Sequence, residues 1–288
     1  MMAISIIIPT LNSPLLERTL QSLVTQILPD DEILVVGLDE AGVTQRFLQV
    51  RFISTLIPVG AAAARNLGMR EAKGDVFLFT DSDCIPSPVW VETHRKYQQE
   101  GYLVVGGAVE IHHSNYWSRA DNLSMFHHFS VGHPSGTRFL LPTLNLSLQR
   151  SVFEMIGGMD ETFLTAGGED SDWTIRMRQA GYTLHFISSI VVTHWPSRDN
   201  WRAVFNHWYR SGYYNIRVRL RYPIEFGTPS WARHSILLKI LAPLIAAWVT
   251  FKIYTFSKGR LYWECLPIVY ATKIIYCWGA ASAVEMKS

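Results

Sequence analysis

Cysteine is scarce in this 288-residue chain, and so is a surplus of charge of either sign. Its three cysteines, Cys84, Cys265 and Cys277, are odd in number and show no C-x-x-C spacing. That argues against a disulfide framework or a zinc ribbon and fits a reducing compartment. Lys and Arg total 26 against 24 Asp and Glu, so no chain-wide field points to nucleic acid. No basic flank accompanies the short apolar run of "MMAISIIIPT", which breaks at Pro9, and it reads as a strand rather than a signal peptide. No glycine stands between Ile8 and the helix that follows "PTLNSPLL", so the fingerprint of a nicotinamide or flavin enzyme is missing. The same stretch lacks the basic, glycine-rich triphosphate loop that a nucleotidyltransferase needs. Internal repeats and low-complexity tracts are also absent.

What is present is an alternation of short apolar runs with helical patterns. "ISIIIP" precedes a helix with apolar Leu16, Leu20, Leu23 and Val24; "EILVV" follows; then "RFIST" over Arg51 to Thr55, a helix from Gly60 to Ala72, and "VFLFT" over Val76 to Thr80. This is the pattern of βαβ units, and strands apolar on both faces suit a parallel sheet covered by helices. The first 100 residues read as a Rossmann-like nucleotide fold, with one main core and an appendage expected for this length. Farther along, "YLVVGGAVEIHH" and "LPTLNLSLQ" read as strands, with helices over Arg150 to Ile156 and from Glu169 to Gly181.

Two carboxylates, Asp81 and Asp83, follow the "VFLFT" strand. Like charges so close are costly unless a cation or donors neutralise them. Mg²⁺ or Mn²⁺ takes one or two protein carboxylates and completes its shell with water and phosphate oxygens, and ligands of open α/β sheets bind at the strands' C-terminal edge. A D-x-D alone is weak, since Asp170 and Asp172 form a second one, and the plain alternative is a solvated turn.

The combination is more specific. "SIIIPTLN", "GAAAARNLGMREAKGDVFLFTDSD", "NLSLQRSVFEMIGGMDETF" and "GEDSDWTIRMRQAGY" resemble, in order and spacing over residues 3 to 195, the motifs of the family 2 glycosyltransferases. The resemblance implies a GT-A fold, a mixed Rossmann-like sheet flanked by helices, over residues 1–197. Residues 1–100 would form the nucleotide-binding half and 101–197 the acceptor half. It implies that Pro9, Thr10 and Asn12 lie against the base and ribose and that Arg65 contacts the nucleotide. Asp83 would be the more direct metal ligand and Asp81 would sit nearer the sugar or ribose. Asp170 would be the general base, with Glu169 orienting the acceptor or tuning Asp170, and His194 would sit against diphosphate or metal. The donor would be a UDP-, GDP- or dTDP-sugar and the outcome inversion. The chain departs from the family at "VVGLDEAG", where Gly37 replaces the first acid of the usual pair and Asp39 is the candidate for the base-contacting carboxylate. Asp172 reads better as a helix-dipole residue than as a catalyst.

Residues 198–288 differ in character. Arginines 198, 202, 210, 217, 219, 221 and 233 are interleaved with Trp201, Trp208, Tyr209, Tyr213 and Tyr214, and two hydrophobic segments follow, Ser235 to Phe256 and Leu261 to Val284. Both are long enough to cross a bilayer, yet Lys239, Lys252, Glu264 and Lys273 interrupt them, and the "SKGR" link would violate the positive-inside rule. A hairpin in one leaflet of a cytoplasmic membrane face suits them better, with full spanning, core helices of a soluble subdomain or a homo-oligomer interface as the alternatives. His112, His113, His127, His128 and His133 match no familiar zinc spacing. Trp117, Trp173 and Trp195 are candidates for stacking on sugar rings or for the core. The expected partners are a nucleotide sugar, a glycan or lipid-linked acceptor and a membrane surface. A polyprenyl-phosphate glycosyltransferase and a non-catalytic membrane scaffold are the rival functions.

Overall fold

In a computed structural model, which describes residues 2–111, 115–165, 167–256 and 258–286, the chain divides into two compact units. The first comprises residues 1–110, 131–164 and 169–195; the second comprises 111–130, 165–168 and 196–288. His112 and His113 lie outside the described residues.

The first unit is built on strands β1 (Ile4–Leu11), β2 (Glu32–Leu38), β3 (Val50–Ser54), β4 (Val76–Phe79), β5 (Cys84–Pro86), β6 (Val104–Ile111), β7 (Gly136–Thr137), β8 (Leu146–Gln149) and β9 (His185–His194). They form one mixed sheet in the order β3-β2-β1-β4-β8-β6-β9-β5, with β7 paired to β9. β1 to β4 run parallel, while β8 pairs antiparallel with both β4 and β6. The apolar runs of β1, β2 and β4 are buried on both faces as their composition demands. β3 is the exception: it is an edge strand, so Phe52 remains 36% exposed.

Helices α1 (Leu16–Leu23), α2 (Ala61–Glu71), α3 (Trp90–Gln99), α5 (Arg150–Ile156) and α6 (Glu169–Gln179) flank the sheet. α1 buries Leu16, Leu20 and Leu23, the i, i+4, i+7 stripe of one face. α2 lies so close to β1 that a Cβ at Gly68 would stand 2.5 Å from Ile7 Cγ2. A buried polar cluster is centred on Asn145. Asn145 Oδ1 accepts from Trp90 Nε1 (2.9 Å) and faces His94 Nε2 (3.1 Å), while its Nδ2 donates to Ala108 and Ile190 carbonyls. With Asn145 Oδ1 as acceptor, His94 carries its proton on Nε2, and Nδ1 takes one from Ser147 Oγ at 2.8 Å. Burial pushes the His94 imidazolium pKa down to about 3, so the ring is neutral.

The second unit contains α4 (Tyr116–Phe126), α7 (Trp201–Arg221), α8 (Ser235–Phe256) and α9 (Leu266–Glu285). Asparagines cap two of them: Asn115 accepts from Ser118 N–H and Asn200 from Ala203 N–H. α7 and α9 approach through reciprocal glycines, since a Cβ at Gly212 would lie 2.0 Å from Tyr276 O and one at Gly279 1.9 Å from Tyr209 O. The charges inside the apolar segments each find a partner. Lys239 pairs with Glu285 (2.6 Å), Glu264 with Arg119 (2.9 Å), and Lys252 sits over the Trp248 ring. Lys273 is buried, donates to Ser124 O at 2.9 Å and covers the Trp208 ring at 3.9 Å.

The two hydrophobic segments, both long enough to cross a bilayer, differ in the structure. Residues 258–265 form 3₁₀ turns broken at Tyr262 before α9 begins, and α9 turns Lys273, Cys277 and its alanines inward. Among the described residues one helix is long and apolar enough to cross a membrane, α8 over Ser235–Thr255, and only 28% of it is buried.

Candidate active site

Parallel strands deliver their C-terminal ends to one edge, and the loops there carry most of the expected site residues. After β1, Asn12 adopts a left-handed backbone (φ 53°), and its side chain spans to the next loop: Nδ2 donates to Glu40 Oε1 and Oδ1 accepts from Glu40 N–H. Thr10 is buried and its Oγ1 has no hydrogen-bond partner. Ser13 Oγ donates to Ser82 O (3.0 Å), tying the β1 loop to the turn that holds Asp81 and Asp83.

The departure at "VVGLDEAG" has a steric cause. Gly37 stands opposite Thr10 with φ 136°, and a Cβ there would be 1.9 Å from Thr10 O, so no acidic side chain fits. Asp39 is committed to its own loop, accepting from Val43 N–H (3.0 Å) and from Thr44 N–H and Oγ1 (both 2.8 Å). Burial opposes its charge, but these bonds prevail and hold the carboxyl below its usual range. Glu40, which no sequence motif singles out, is the exposed carboxylate beside Asn12. Its signal was only its place after Asp39.

Arg65 organises the centre. It is 4% exposed, pairs with Asp81 Oδ1 at 2.5 Å and faces Glu169 Oε1 at 3.6 Å. Burial alone would disfavour the guanidinium charge, but Asp81, Glu169 and Asp170 outweigh it and raise its pKa. Its Nε and Nη1 donors are buried with no hydrogen-bond partner, which suits an incoming phosphate or carboxylate oxygen. Glu169 therefore sits on Arg65, a partner that lies far from it in sequence.

Asp170 opens α6, where the helix dipole favours negative charge. Its Oδ2 accepts from Thr143 N–H at 3.4 Å and its Oδ1 from Ser171 N–H at 3.1 Å. Burial nevertheless raises its pKa, against the pull of Arg65, and leaves a more basic carboxylate than usual. Asp172 is engaged with Arg176 on the same helix (3.0 Å), the structural part expected of it. Trp173 is core, packed edge-on against Phe79, and Trp195 lies beneath Arg18.

The antiparallel register of β5 on β9 sets Cys84 opposite His194, which brings His194 Nε2 within 3.6 Å of Asp83 Oδ2. Among the described residues Asp83, Cys84 and His194 form the one grouping of three metal-capable side chains, their donor atoms within 4.8 Å of one another. Burial, with Asp83 and Asp81 adding to it, lifts the Cys84 thiol well above its ordinary pKa in the metal-free site. The donors on offer are a carboxylate, an imidazole and a thiol, of which the hard carboxylate oxygen suits Mn²⁺ or Mg²⁺, ions that complete their shells with phosphate and water oxygens. The grouping does not include His127, His128 or His133.

Comparisons with known proteins agree with this architecture. The chain is similar to glycosyltransferase AglE of Haloferax volcanii, 31% identical over 140 residues, covering 48% of this chain and 45% of that one. It is 25% identical over 268 residues to the probable glycosyltransferase YdaM of Bacillus subtilis, covering 77% of this chain and 57% of that one. The chain thus spans about half the length of the curated relatives it matches. Its fold is shared with mannosyltransferase PcManGT from Pyrobaculum calidifontis, solved with GDP-Man and Mn²⁺, at 18% identity and TM-score 0.63 over 99% of this chain and 88% of that one. GalNAc-T7, solved with UDP, GalNAc and Mn²⁺, aligns at 15% identity and TM-score 0.57 over 76% of this chain and 47% of that one. Residues 133–194 match the model described as the N-terminal domain of galactosyltransferase. Residues 5–159, more than half of the chain and including the Arg65 and Asp81–Asp83 part of the site, match glycosyl transferase family 2, and the chain belongs to that family.

Proposed function

We propose that this protein is a metal-dependent, inverting glycosyltransferase that moves a hexose from a nucleotide sugar to a glycan or lipid-linked acceptor at a membrane face. The observation that carries the reading is the Arg65 linkage, a buried cation joining Asp81 to Glu169 beside the Asp83–His194 pair. Asp83 and His194 would hold Mg²⁺ or Mn²⁺, which when bound supplies neutralisation of the leaving diphosphate's charge. Pro9, Thr10 and Asn12, with Glu40 beside them, would receive base and ribose. Arg65 would direct its spare donors to the diphosphate or sugar. Asp170 would take the proton of the acceptor hydroxyl, and attack on the anomeric carbon from the face opposite the diphosphate inverts it.

The membrane part rests on α8. Ile236, Ile240, Leu244, Trp248 and Phe251 are each more than half exposed on its outer side. Lys239 and Lys252 bracket most of this face, and 13 residues of helix measure about 20 Å, shorter than the ~30 Å hydrocarbon core. Such a face suits insertion into one leaflet, with Lys and Trp at headgroup level.

The test is a panel of UDP-, GDP- and dTDP-sugars offered to the purified full chain with Mn²⁺ or EDTA, read as binding and slow donor hydrolysis. One donor engaged only with metal, and lost in Asp83→Ala, is the expected result. Failure of every donor under every metal condition would return the scaffold reading.

A further inference from the structure

The second unit holds a cavity of about 350 Å³ that the catalytic reading does not use. It is lined by Thr165, Arg198, Ala203, Asn206, His207 and Arg210. Ala203, Asn206, His207 and Arg210 are spaced i, i+3, i+4 and i+7, so one face of α7 forms a wall. Thr165 completes the lining, and Gly167 packs on the same helix: a Cβ there would meet Ser211 Cα at 3.4 Å. Arg198 is fixed by Asp121 (Nε to Oδ2, 2.6 Å), and Asp121 also accepts from Trp208 Nε1 at 2.7 Å, so the cavity's rim is built on buried, paired groups. Thr165 Oγ1 is shielded from solvent and has no hydrogen-bond partner.

Two guanidiniums, an imidazole, an amide and a hydroxyl line the space, with no carboxylate among the described lining residues. Such a set of donors matches the oxygens of a phosphate group, which arginine binds with charge-assisted hydrogen bonds. We infer that this cavity is a phosphate-binding site that holds the phosphate of a phosphorylated acceptor, through Arg210, Arg198, Asn206, His207 and Thr165. This rests on the transferase reading, because the segment carrying Thr165 continues in the chain directly into Glu169 and Asp170.

The experiment is calorimetric titration of the full chain in detergent with farnesyl phosphate, farnesol, glucose 1-phosphate and inorganic phosphate, beside Arg210→Ala, Arg210→Lys and Thr165→Val. Arg210 is exposed, so its replacement leaves the fold intact, which circular dichroism verifies. Binding of a phosphate compound, weakened tenfold or more in Arg210→Ala, partly restored in Arg210→Lys and weakened in Thr165→Val, is expected. Farnesyl phosphate far above glucose 1-phosphate identifies a lipid source, and equal binding identifies the free phosphate group. Equal affinity of wild type and Arg210→Ala, or equal binding of farnesol and farnesyl phosphate, overturns the inference. Arg210-dependent binding in a chain whose wild type engages no nucleotide sugar keeps the phosphate site and removes the transferase reading, whereas donor hydrolysis without phosphate binding does the reverse.

Discussion

Asp170 is the residue whose environment most constrains chemistry. Burial raises its pKa although Arg65 and two N–H donors lie nearby. A general base works only deprotonated, so turnover should fall as pH drops through this raised pKa, at a higher pH than the ~3.9 of an ordinary aspartate. Asp170→Asn is expected to lower kcat by about 10²- to 10⁴-fold with little change in donor KM, and to abolish that acid limb of the pH profile. A full-rate Asp170→Asn enzyme would remove it from the base role. Arg65→Lys keeps a charge but loses the planar fork that reaches Asp81 and Glu169 together. Raised donor KM and a lowered melting temperature are expected, and unchanged donor affinity would separate Arg65 from the nucleotide. Arg65 was singled out from the "AARN" stretch, but its pairing with Glu169 was not, because sequence distance hides a contact made by folding.

At the level of elements, the Gly37 strand end and the His94 cluster carry predictions. Gly37→Asp, which would restore the usual family acid, drives a Cβ into Thr10 O at a backbone angle suited to glycine. A loss of about 2 to 3 kcal/mol in denaturant unfolding is expected, without a gain in nucleotide affinity. A variant of native stability would show that the strand ends can separate. His94 is neutral in the fold with a pKa of about 3, while an unfolded histidine titrates near 6.5. The unfolded chain therefore binds the extra proton first, and stability is lost as pH falls from about 6.5 towards 3, at up to ~1.4 kcal/mol per pH unit. His94→Gln should flatten that slope in urea melts at several pH values. Asp121 acts lower on the scale. Burial opposes its charge, but Arg198, His207 and Trp208 outweigh it and depress its pKa, so its contribution vanishes only below the usual carboxylate range. The βαβ strands and helices of β1 to β4 were readable from periodicity, with ends that moved by one to three residues, whereas α3 and the short strands β5 and β7 were not. The pattern also missed edge position, as at β3, because exposure depends on what pairs alongside.

For the whole molecule, the division into units cuts across chain order. Residues 111–130 join 196–288, with Asp121 buried against Arg198 and Trp208 and Leu123 in a core with Ile253 and Val269. A chain ended at 197 would leave α4 with unpaired buried charge and bare apolar surface. It is expected to aggregate rather than fold as a free catalytic domain, and a monodisperse, cooperatively melting 1–197 fragment would contradict this. The outer face of α8 gives the second test at this scale. Flotation with vesicles containing anionic lipid should be lost in Leu244→Asp/Trp248→Asp, whose positions are 69% and 59% exposed and so tolerate charge in the fold. Retained flotation would move the membrane contact elsewhere.

By itself the sequence determined the alternation of strands and helices over β1 to β4 and the chemistry available at those strand ends. Both are local properties: side-chain period follows backbone geometry, and a carboxylate or guanidinium is written in one letter. It also determined the family, through four motifs in order. Tertiary structure alone decided which of those groups meet. Antiparallel pairing of β5 with β9 put His194 on Asp83, burial placed Arg65 between Asp81 and Glu169, and close approach of Gly37 to Thr10 diverted the expected acid. It also turned Lys273 and Glu264, apparent interruptions of a membrane segment, into paired groups of a helical unit. Such outcomes depend on strand register and on the free energy of desolvating charge, and both are set only when distant parts of the chain are packed together.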